Sequence, residues 1–339
     1  MKGVPVQPIP LPSNQPPDRF YLGGPRISAF RHEPSGGTRS PEDWVASTTM
    51  VRGQEPAGLT RLPGGALLAD EIAARPQDWL GPDHVRQFGV DTKLLVKLLD
   101  AGQRLPVHAH PDTAFASSHL GTRHGKAEAW YLLEPGEVFL GLRRDVTRER
   151  LMELVRAQEV EQLLDLMHKV DVDAHQTVYV PPGLLHAIGE GILLAEVQEP
   201  EDLSILLEWR DFDIDGRAAG HLGLGFDTAL RAVETAARSQ REISELIGGS
   251  QPRGDVLAAA SRAFFRLQRV PVDAPDGPGV ECEAGFAVMI VVAGALNLLA
   301  PDGSGLPAGP GTTTLVPYAA GPFRLTGRGT ALLARPPAA

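Results

Sequence analysis

The apolar residues of this chain fall mostly into short runs, a pattern that predicts a protein built largely from β-strands. The run Lys93–Leu99 is apolar except for its lysines and is flanked by turn residues, which is typical of a mostly buried strand. Comparable runs in the first two thirds of the chain predict further strands at Phe20–Arg31, Lys126–Leu133, Val138–Leu142, Gln176–Val180, Ile192–Val197 and Leu203–Trp209.

Apolar residues spaced three and four apart predict helices in only a few segments. The strongest such pattern lies in Thr147–His168, and a second covers Phe226–Leu246. A shorter helix is predicted within Leu67–Leu80. The segment Ser40–Trp44 resembles a helix start, because serine is a preferred cap, proline suits the first helical position and acidic residues suit the first turn.

The last third of the chain has a different pattern, with short apolar segments separated by Gly, Pro and Asp turns. Regular spacing of this kind is typical of a β-sandwich or β-barrel. This part contains no histidine, so the chain reads as a coarse duplication, one β-barrel with histidines and one without. The predicted strands are Phe264–Val270, Val280–Cys282, Ala287–Val292, Leu296–Leu299, Thr312–Val316, Phe323–Leu325 and Ala331–Leu333.

Together these patterns predict a mainly β fold of two barrels, joined by helical segments. The Gly248–Ser250 run is the best candidate for a domain boundary. The predicted parts are a Pro-rich arm (1–19), a histidine-bearing domain (20–225) with a helical insertion (147–170), a helical connector (226–250) and a C-terminal β domain (251–339).

Composition narrows the possible functions. The 339 residues carry a formal net charge of -10, which argues against non-specific nucleic-acid binding and against attraction to anionic membranes. Cys282 is the only cysteine, so no internal disulfide can form. No apolar run reaches the roughly 20 residues needed to span a bilayer, and no signal peptide is visible. We expect a cytoplasmic monomer.

Three histidines and one glutamate have the spacing of a metal site. His108 and His110 lie two residues apart, so on a strand their imidazoles face the same side. Glu128 lies in the next predicted strand, and His186 follows a rigid Pro-Pro-Gly turn. Three imidazoles and one carboxylate suit zinc, manganese or iron(II) and leave coordination positions open for water or substrate. The alternative is that these are ordinary surface or core histidines.

The same residues lie in segments that resemble a known family. The segments Leu95–Ala101, Ala109–Asp112, Gly125–Tyr131, Val180–Ala187 and Glu196–Gln198 occur in the order and spacing of the type I mannose-6-phosphate isomerases, in particular the shorter bacterial kind, within the cupin superfamily. The resemblance covers roughly residues 20–225.

This resemblance implies two cupin-type (jelly-roll) barrels and a metal-dependent aldose–ketose isomerase. The expected reaction converts mannose-6-phosphate to fructose-6-phosphate through a cis-enediol. The family's metal ligands fall on His108, His110, Glu128 and His186, with zinc as the first choice of metal and Mn²⁺ or Fe²⁺ as alternatives. Its substrate-contacting lysines fall on Lys97 and Lys126.

Two departures from the family pattern bear on the substrate. The family usually has glutamine where this chain has His108, and its first arginine is missing from the segment Ser204–Arg210. Arg210 matches the later arginine loosely and is retained as a candidate catalytic residue. The proton-transfer base is expected on the last strand of the site, as Glu196 or Glu199, and the sequence does not decide between them.

Three other functions stay open at this point. The missing arginine suggests an isomerase of an unphosphorylated sugar. The ligand set also suits manganese or iron redox chemistry, as in a cupin oxidase or dioxygenase. A non-catalytic, sugar-sensing cupin is the last alternative. The lysines beside the ligands favour an anionic sugar over the oxidase.

Overall fold

The computed structural model describes residues 7–34, 36–249, 251–273 and 277–339. Its strands are β1 Ile9–Leu11, β2 Glu42–Val45, β3 Leu95–Asp100, β4 His108–Ala109, β5 Glu128–Leu132, β6 Gly136–Leu142, β7 Met167–Val172, β8 Thr177–Val180, β9 His186–Ile188, β10 Leu193–Gln198, β11 Ile205–Leu206, β12 Ile247–Gly248, β13 Gly254–Asp255, β14 Arg266–Val272, β15 Val280–Cys282, β16 Ala287–Leu299, β17 Gly305–Ala308, β18 Thr313–Val316 and β19 Phe323–Arg335.

The helices are short and lie mostly between strands of the first two thirds of the chain. The α-helices are α1 Pro25–Arg31, α2 Leu68–Ala74, α3 Pro76–Leu80, α4 Pro82–Phe88, α5 Thr113–Leu120, α6 Arg148–Ala157, α7 Val160–Asp165, α8 Gly216–Ala219, α9 Phe226–Ala229 and α10 Gln240–Leu246. Single 3₁₀ turns cover Leu230–Ala232, Ala259–Ala263 and Tyr318–Ala320. Within the described ranges, no helix combines the length and hydrophobicity that a membrane crossing needs.

The strands form three sheets, and this confirms the mainly β fold. One sheet has six strands in the order β12-β8-β5-β10-β3-β2, and a second has five in the order β11-β4-β9-β6-β7. The third has eight, along the path β1-β18-β16-β19-β14-β13 with β15 and β17 attached. Over the described residues, strand pairing closes none of these sheets into a ring, so they are open antiparallel sheets rather than complete barrels.

Strand register brings the charged residues of the six-stranded sheet to one face. Lys97 of β3 lies opposite Glu196 of β10, and Glu196 lies opposite Trp130 of β5. Directly opposite residues share a face, as do residues two apart on one strand. Glu128 of β5 therefore projects on the same side as Lys97 and Glu196. In the five-stranded sheet, His108 of β4 lies opposite His186 of β9.

The C-terminal sheet packs onto the first part of the chain through one continuous core. Leu98 and Trp130 belong to the same buried cluster as Phe265 and Val288 of the C-terminal part. A second cluster packs the helical insertion against the five-stranded sheet, as with Leu151 of α6. Burial on both faces explains why β3 is apolar along most of its length, as a strand enclosed on both sides requires.

Two predicted elements near the N-terminus have the opposite structure. The segment Ser40–Trp44, predicted as a helix start, forms the strand β2 instead. The segment Phe20–Arg31, predicted as a strand, contains helix α1, which begins at Pro25. The local pattern misled because the acidic residues of β2 are buried against distant arginines: Asp43 is paired with Arg31.

Several predicted helices and strands have different lengths. The helix predicted in Leu67–Leu80 is interrupted before Pro76, where the proline ring disfavours a continuous helix. The helix predicted over Thr147–His168 is two helices, separated at Gln158, whose left-handed backbone ends α6. The long connector helix is likewise reduced to α9, a 3₁₀ turn and α10. In the C-terminal part, β16 and β19 each merge two predicted strands into one of 13 residues.

The Pro-rich arm contributes an edge strand. Residues Ile9–Leu11 form β1 and pair with Thr313–Leu315 of β18 at the edge of the C-terminal sheet, a position that tolerates proline. Residues 1–6 of the predicted arm and Ser250 of the predicted boundary lie outside the described residues. The four-part domain division stays a prediction.

Arg31 joins three distant segments, and its loss should destabilise the protein. Its guanidinium donates to Asp43 at 2.8 Å, to Thr313 at 2.9 Å and to the Leu11 carbonyl. Arg31→Met leaves Asp43 buried without a counter-charge, so we expect a loss of roughly 3–5 kcal/mol in the free energy of unfolding. Urea denaturation measures it. The control Arg39→Met breaks an exposed pair with Asp213 and should cost less than about 1 kcal/mol; equal losses would contradict this account.

Candidate metal centre

Three buried imidazoles converge between the five-stranded and six-stranded sheets. The ring centroids of His108 and His186 are 4.0 Å apart, and His110 lies 4.9 Å from the first and 4.8 Å from the second. One ring nitrogen of each lies within 4.8 Å of the others. The convergence follows from the His-X-His spacing on one strand and the pairing of that strand with β9.

Each imidazole is oriented by a backbone carbonyl. The Nδ1 atom lies 2.8 Å from the Pro106 oxygen in His108, 2.6 Å from the Leu203 oxygen in His110 and 2.9 Å from the Leu184 oxygen in His186. A carbonyl only accepts, so Nδ1 carries the proton in each ring. The Nε2 atom is then left with a free lone pair, which is how metal-binding histidines are usually held.

The environment also keeps the rings of His108 and His110 neutral. Burial, reinforced by the neighbouring His186 and His110, lowers the pKa of His108 well below its ordinary value. Burial and the Lys126 ammonium lower the pKa of His110 to about 3. A neutral imidazole is the form that binds a metal ion. The rings of His108 and His110 can therefore bind a cation without first losing a proton.

Glu128 brings a carboxylate to the same point from the other sheet. Its Oε2 lies 3.0 Å from His110 Nε2, and its Oε1 lies 3.3 Å from His186 Nε2. The Trp130 indole donates to Oε1 at 3.2 Å, and Lys126 Nζ is 3.0 Å from Oε2. Burial by itself would raise the pKa of Glu128, but the Lys126 ammonium, the strongest opposing group, holds that pKa well below its usual range.

The donor set fits a divalent cation. Among the described residues, the buried atoms without a well-aligned hydrogen-bond partner include Nε2 of His110, Nε2 of His186 and Oε2 of Glu128. A buried polar atom without a hydrogen-bond partner lowers the stability of the folded protein. Ligand atoms about 2.0–2.2 Å from a zinc ion stand roughly 3–3.5 Å from each other, and the distances of 3.0 and 3.3 Å agree with that spacing.

A cavity opens beside the imidazole of His108. Its wall includes both predicted lysines, Lys97 and Lys126, together with Glu196. Lys97 is buried, with Nζ 3.4 Å from Glu42 Oε1, 3.5 Å from Glu196 Oε1 and 4.7 Å from the centre of the Trp44 ring. Burial opposes a charged lysine, but the two carboxylates outweigh it and raise the pKa of Lys97.

Of the two glutamates that the sequence left open as bases, only Glu196 lines this cavity. Its Oε1 is buried and has no hydrogen-bond partner among the described residues. Burial, with the nearby charge of Glu128, raises the pKa of Glu196. The Glu199 carboxylate instead accepts a hydrogen bond from the Ala127 amide at 2.9 Å.

The structure does not bring Arg210 to the cavity, which corrects the hypothesis of a catalytic role. Its half-exposed guanidinium pairs with Glu161 and lies 3.8 Å from Asp211. His124 and His168 are also buried, which their sequence neighbours do not indicate.

Several residues of the cavity wall were missed by sequence reasoning. Arg19 is the last residue of the Pro-rich arm, Tyr21 lies just after it, and Glu42 comes from the strand that was predicted as a helix. Arg19 Nε lies 3.0 Å from Glu42 Oε2. No local spacing marks these residues. Lys97 offered the one available signal, since a lysine in a buried strand needs acidic partners.

Comparisons with known proteins were made for sequence and for structure. Mannose-6-phosphate isomerase of Streptococcus mutans is 36% identical over 147 residues, which cover 41% of this chain and 44% of that protein. Mannose-6-phosphate isomerase ManA of Bacillus subtilis is 28% identical over 241 residues, covering 69% of this chain and 72% of that protein. The chain thus matches less than half the length of the first relative. No family model matches the chain.

Solved structures share the fold over nearly the whole chain. A putative mannosephosphate isomerase from Archaeoglobus fulgidus has a TM-score of 0.75 at 19% identity, with 100% of both chains covered. The mannose 6-phosphate isomerase of Bacillus subtilis has a TM-score of 0.73 at 19% identity and covers 97% of this chain and 99% of its own. These findings confirm the resemblance that the motifs predict: the chain is similar in sequence to mannose-6-phosphate isomerases and has the fold of the solved ones.

Metal removal and replacement should change the stability of the protein. We expect the chelator-treated chain to bind one divalent ion. At an ion concentration of 100 times Kd, binding should raise the free energy of unfolding by about 2.7 kcal/mol, and the melting temperature should rise with it. His186→Ala should weaken binding by more than the roughly 10- to 100-fold that changes in outer contacts cause. Calorimetric titration with Zn²⁺ measures the stoichiometry and the affinity, and thermal denaturation measures the stabilisation. His119→Ala, at an exposed histidine, should bind like wild type; an unchanged affinity in His186→Ala would exclude the site.

Proposed function

We propose that this relative of the mannose-6-phosphate isomerases is a metal-dependent aldose–ketose isomerase that converts mannose-6-phosphate to fructose-6-phosphate. Zn²⁺ is the proposed metal, with Mn²⁺ and Fe²⁺ as alternatives. The observation that carries the proposal is the meeting of His108, His110, His186 and Glu128 at one point, beside a cavity lined by lysines and a buried glutamate.

An aldose–ketose isomerase must hold two neighbouring sugar oxygens and stabilise the negative charge that develops on them. A divalent ion, when bound, supplies Lewis-acid stabilisation of those oxygens. Lys97 and Lys126 line the same cavity. Fixed positive charges near a developing oxyanion stabilise the transition state more than the ground state. We therefore assign these lysines to binding the sugar oxygens and stabilising the enediolate charge.

Glu196 is the proposed base. Its carboxylate takes the proton from C2 of the aldose and returns it to C1, while a hydroxyl proton moves from O2 to O1 through the cis-enediol. The direction of its pKa shift supports this role, because a base works best when its pKa approaches the working pH. Lys97, 3.5 Å away, favours the ionised form that accepts the proton.

A second candidate substrate is an unphosphorylated sugar. The segment that lacks the family's first arginine contributes Ser204 and Leu206 to the cavity wall, and neither carries positive charge. Asp202 also lines the wall, and Arg19 is already paired with Glu42 at 3.0 Å. These wall residues add no unpaired positive charge for a phosphate, and this observation supports an unphosphorylated sugar as the second candidate.

The location and assembly state stay predictions. The single cysteine, Cys282, is buried and has no cysteine partner in the sequence, and this supports a reducing compartment such as the cytoplasm. We keep the monomer as the expected state.

Substrate assays should separate these possibilities. We expect the zinc-loaded protein to convert mannose-6-phosphate, followed by a coupled assay for fructose-6-phosphate, with free mannose as the comparison. Turnover of mannose alone would select the second candidate. Oxygen uptake would instead indicate an oxidase, and binding without turnover would indicate a sensing protein; either result would refute the isomerase.

Replacement of the proposed base should separate chemistry from metal binding. Glu196→Gln removes the proton acceptor and keeps the side-chain volume, so we expect kcat to fall by roughly 10²–10⁴ while one ion per chain is still bound. Steady-state kinetics with metal analysis measures this. Arg210→Ala alters an exposed ion pair away from the cavity and should change kcat by less than twofold. A Glu196→Gln variant with wild-type kcat would remove the base from the mechanism.

A further inference from the structure

A network of charged side chains lies near the ends of β3, β5 and β10 and takes no part in the proposed reaction. Asp91 precedes β3, His124 precedes β5 and Glu199 follows β10. His124 is only 6% exposed, and Glu199 is 3% exposed. None of these three residues lines the cavity beside His108. Charged groups are rarely buried without a role, so their arrangement needs an explanation.

The ring of His124 connects the two carboxylates. Its Nε2 lies 2.7 Å from Asp91 Oδ2, and its Nδ1 lies 3.7 Å from Glu199 Oε1 and 3.2 Å from Lys93 Nζ. Burial by itself would lower the pKa of His124, but the hydrogen bond with Asp91 and the nearby Glu199 carboxylate outweigh it and raise this pKa to about 9. The ring therefore lies between two carboxylates, with the Lys93 ammonium also in contact with its Nδ1.

Glu199 carries the network to the strand that bears the metal and substrate residues. Its Oε2 accepts from the Ala127 amide at 2.9 Å, and its own amide donates to the Ala127 carbonyl at 3.0 Å. Ala127 lies between Lys126 and Glu128 in the sequence and is fully buried. Glu199 thus forms two hydrogen bonds with the backbone of Ala127, the residue between Lys126 and Glu128.

A second set of hydrogen bonds connects the segment before β5 to the residues that follow His110. Thr113 Oγ1 donates to Glu199 Oε1 at 3.5 Å and accepts from the Gly125 amide at 3.3 Å. The Lys126 amide donates to the Pro111 carbonyl at 3.0 Å. The entry to β5 is therefore tied to the segment that follows His110, which carries one of the imidazoles.

We propose that the Asp91–His124–Glu199 network positions Glu128 and Lys126 against the imidazoles of the other sheet. Glu199 fixes the Ala127 backbone, His124 fixes the Glu199 carboxylate, and Asp91 fixes the ring of His124. A displacement of about 1 Å at a reacting group can cost roughly 100-fold in rate, so a small shift of this backbone should be measurable. The proposal rests on the proposed function only where kcat is measured, because metal affinity can be measured whether or not the protein is an isomerase.

The full-length chain loaded with Co²⁺ tests this, with visible absorption reporting metal binding and the coupled assay reporting kcat. Glu199→Ala should weaken Co²⁺ binding by roughly 10- to 100-fold, the usual effect of losing an outer contact, and should lower kcat to a similar extent. Glu199→Gln keeps an amide oxygen for the Ala127 N–H, so it should recover most of the Co²⁺ affinity.

His124→Gln should give Co²⁺ affinity and kcat between those of wild type and Glu199→Ala. Its matched control is His119→Gln, which makes the same chemical change at an exposed histidine and should behave like wild type. Should Glu199→Ala not fold, the two glutamine variants at positions 199 and 124 decide.

The proposal is overturned if folded Glu199→Ala binds Co²⁺ as wild type does, or if His124→Gln matches His119→Gln in both readouts. It is also overturned if Glu199→Gln is no better than a folded Glu199→Ala. If Co²⁺ affinity follows the predicted order while wild type shows no isomerase activity, positioning stands and the proposed function fails.

Discussion

Burial of the Glu128 carboxylate is the constraint on which the rest of the site depends. An ionised carboxylate inside a protein costs several kcal/mol unless opposite charge and hydrogen bonds surround it. Here Lys126 supplies the opposite charge and Trp130 a hydrogen bond, while two imidazole nitrogens of the other sheet lie 3.0 and 3.3 Å from the carboxylate. A divalent cation at the same point would satisfy the nitrogens and the oxygen that have no aligned partner. Glu128 thus contributes both to the stability of the interface between the sheets and to the chemistry of the cavity.

The remaining buried charges follow the same rule in successive layers. Lys97 lies between Glu42 and Glu196, and Arg19 compensates Glu42 in turn. Lys97 is thus held by Glu42, and Glu42 by Arg19, and neither Glu42 nor Arg19 has a role in the proposed reaction. The cost is a nearly balanced cavity in which little positive charge remains for a distal phosphate. The identity of the sugar therefore depends on the other residues of the cavity wall, such as Ser204 and Leu206, rather than on the metal ligands.

The parts of the structure that could be predicted are those with a local or periodic signal. The His-X-His spacing, the Pro-Pro-Gly turn before His186 and the strand around Glu128 were sufficient to propose one site, and the side chains do meet. Partners from distant segments carry no such signal. Asp43 and Glu42 looked like first-turn acids of a helix, because nothing nearby in sequence reveals Arg31 and Arg19. For the same reason nothing in the local pattern reveals that His124 is buried or that Arg210 lies away from the cavity.

The central claim is that His108, His110, His186 and Glu128 hold one divalent cation. X-ray absorption at the zinc edge of the full-length protein, loaded with one Zn²⁺ per chain, tests it most directly because it reports the atoms bound to the metal. This account predicts three imidazole nitrogens and at least one oxygen at about 2.0–2.2 Å. A spectrum with a single imidazole, or with oxygen ligands alone, would show that the cation binds elsewhere and would contradict the account.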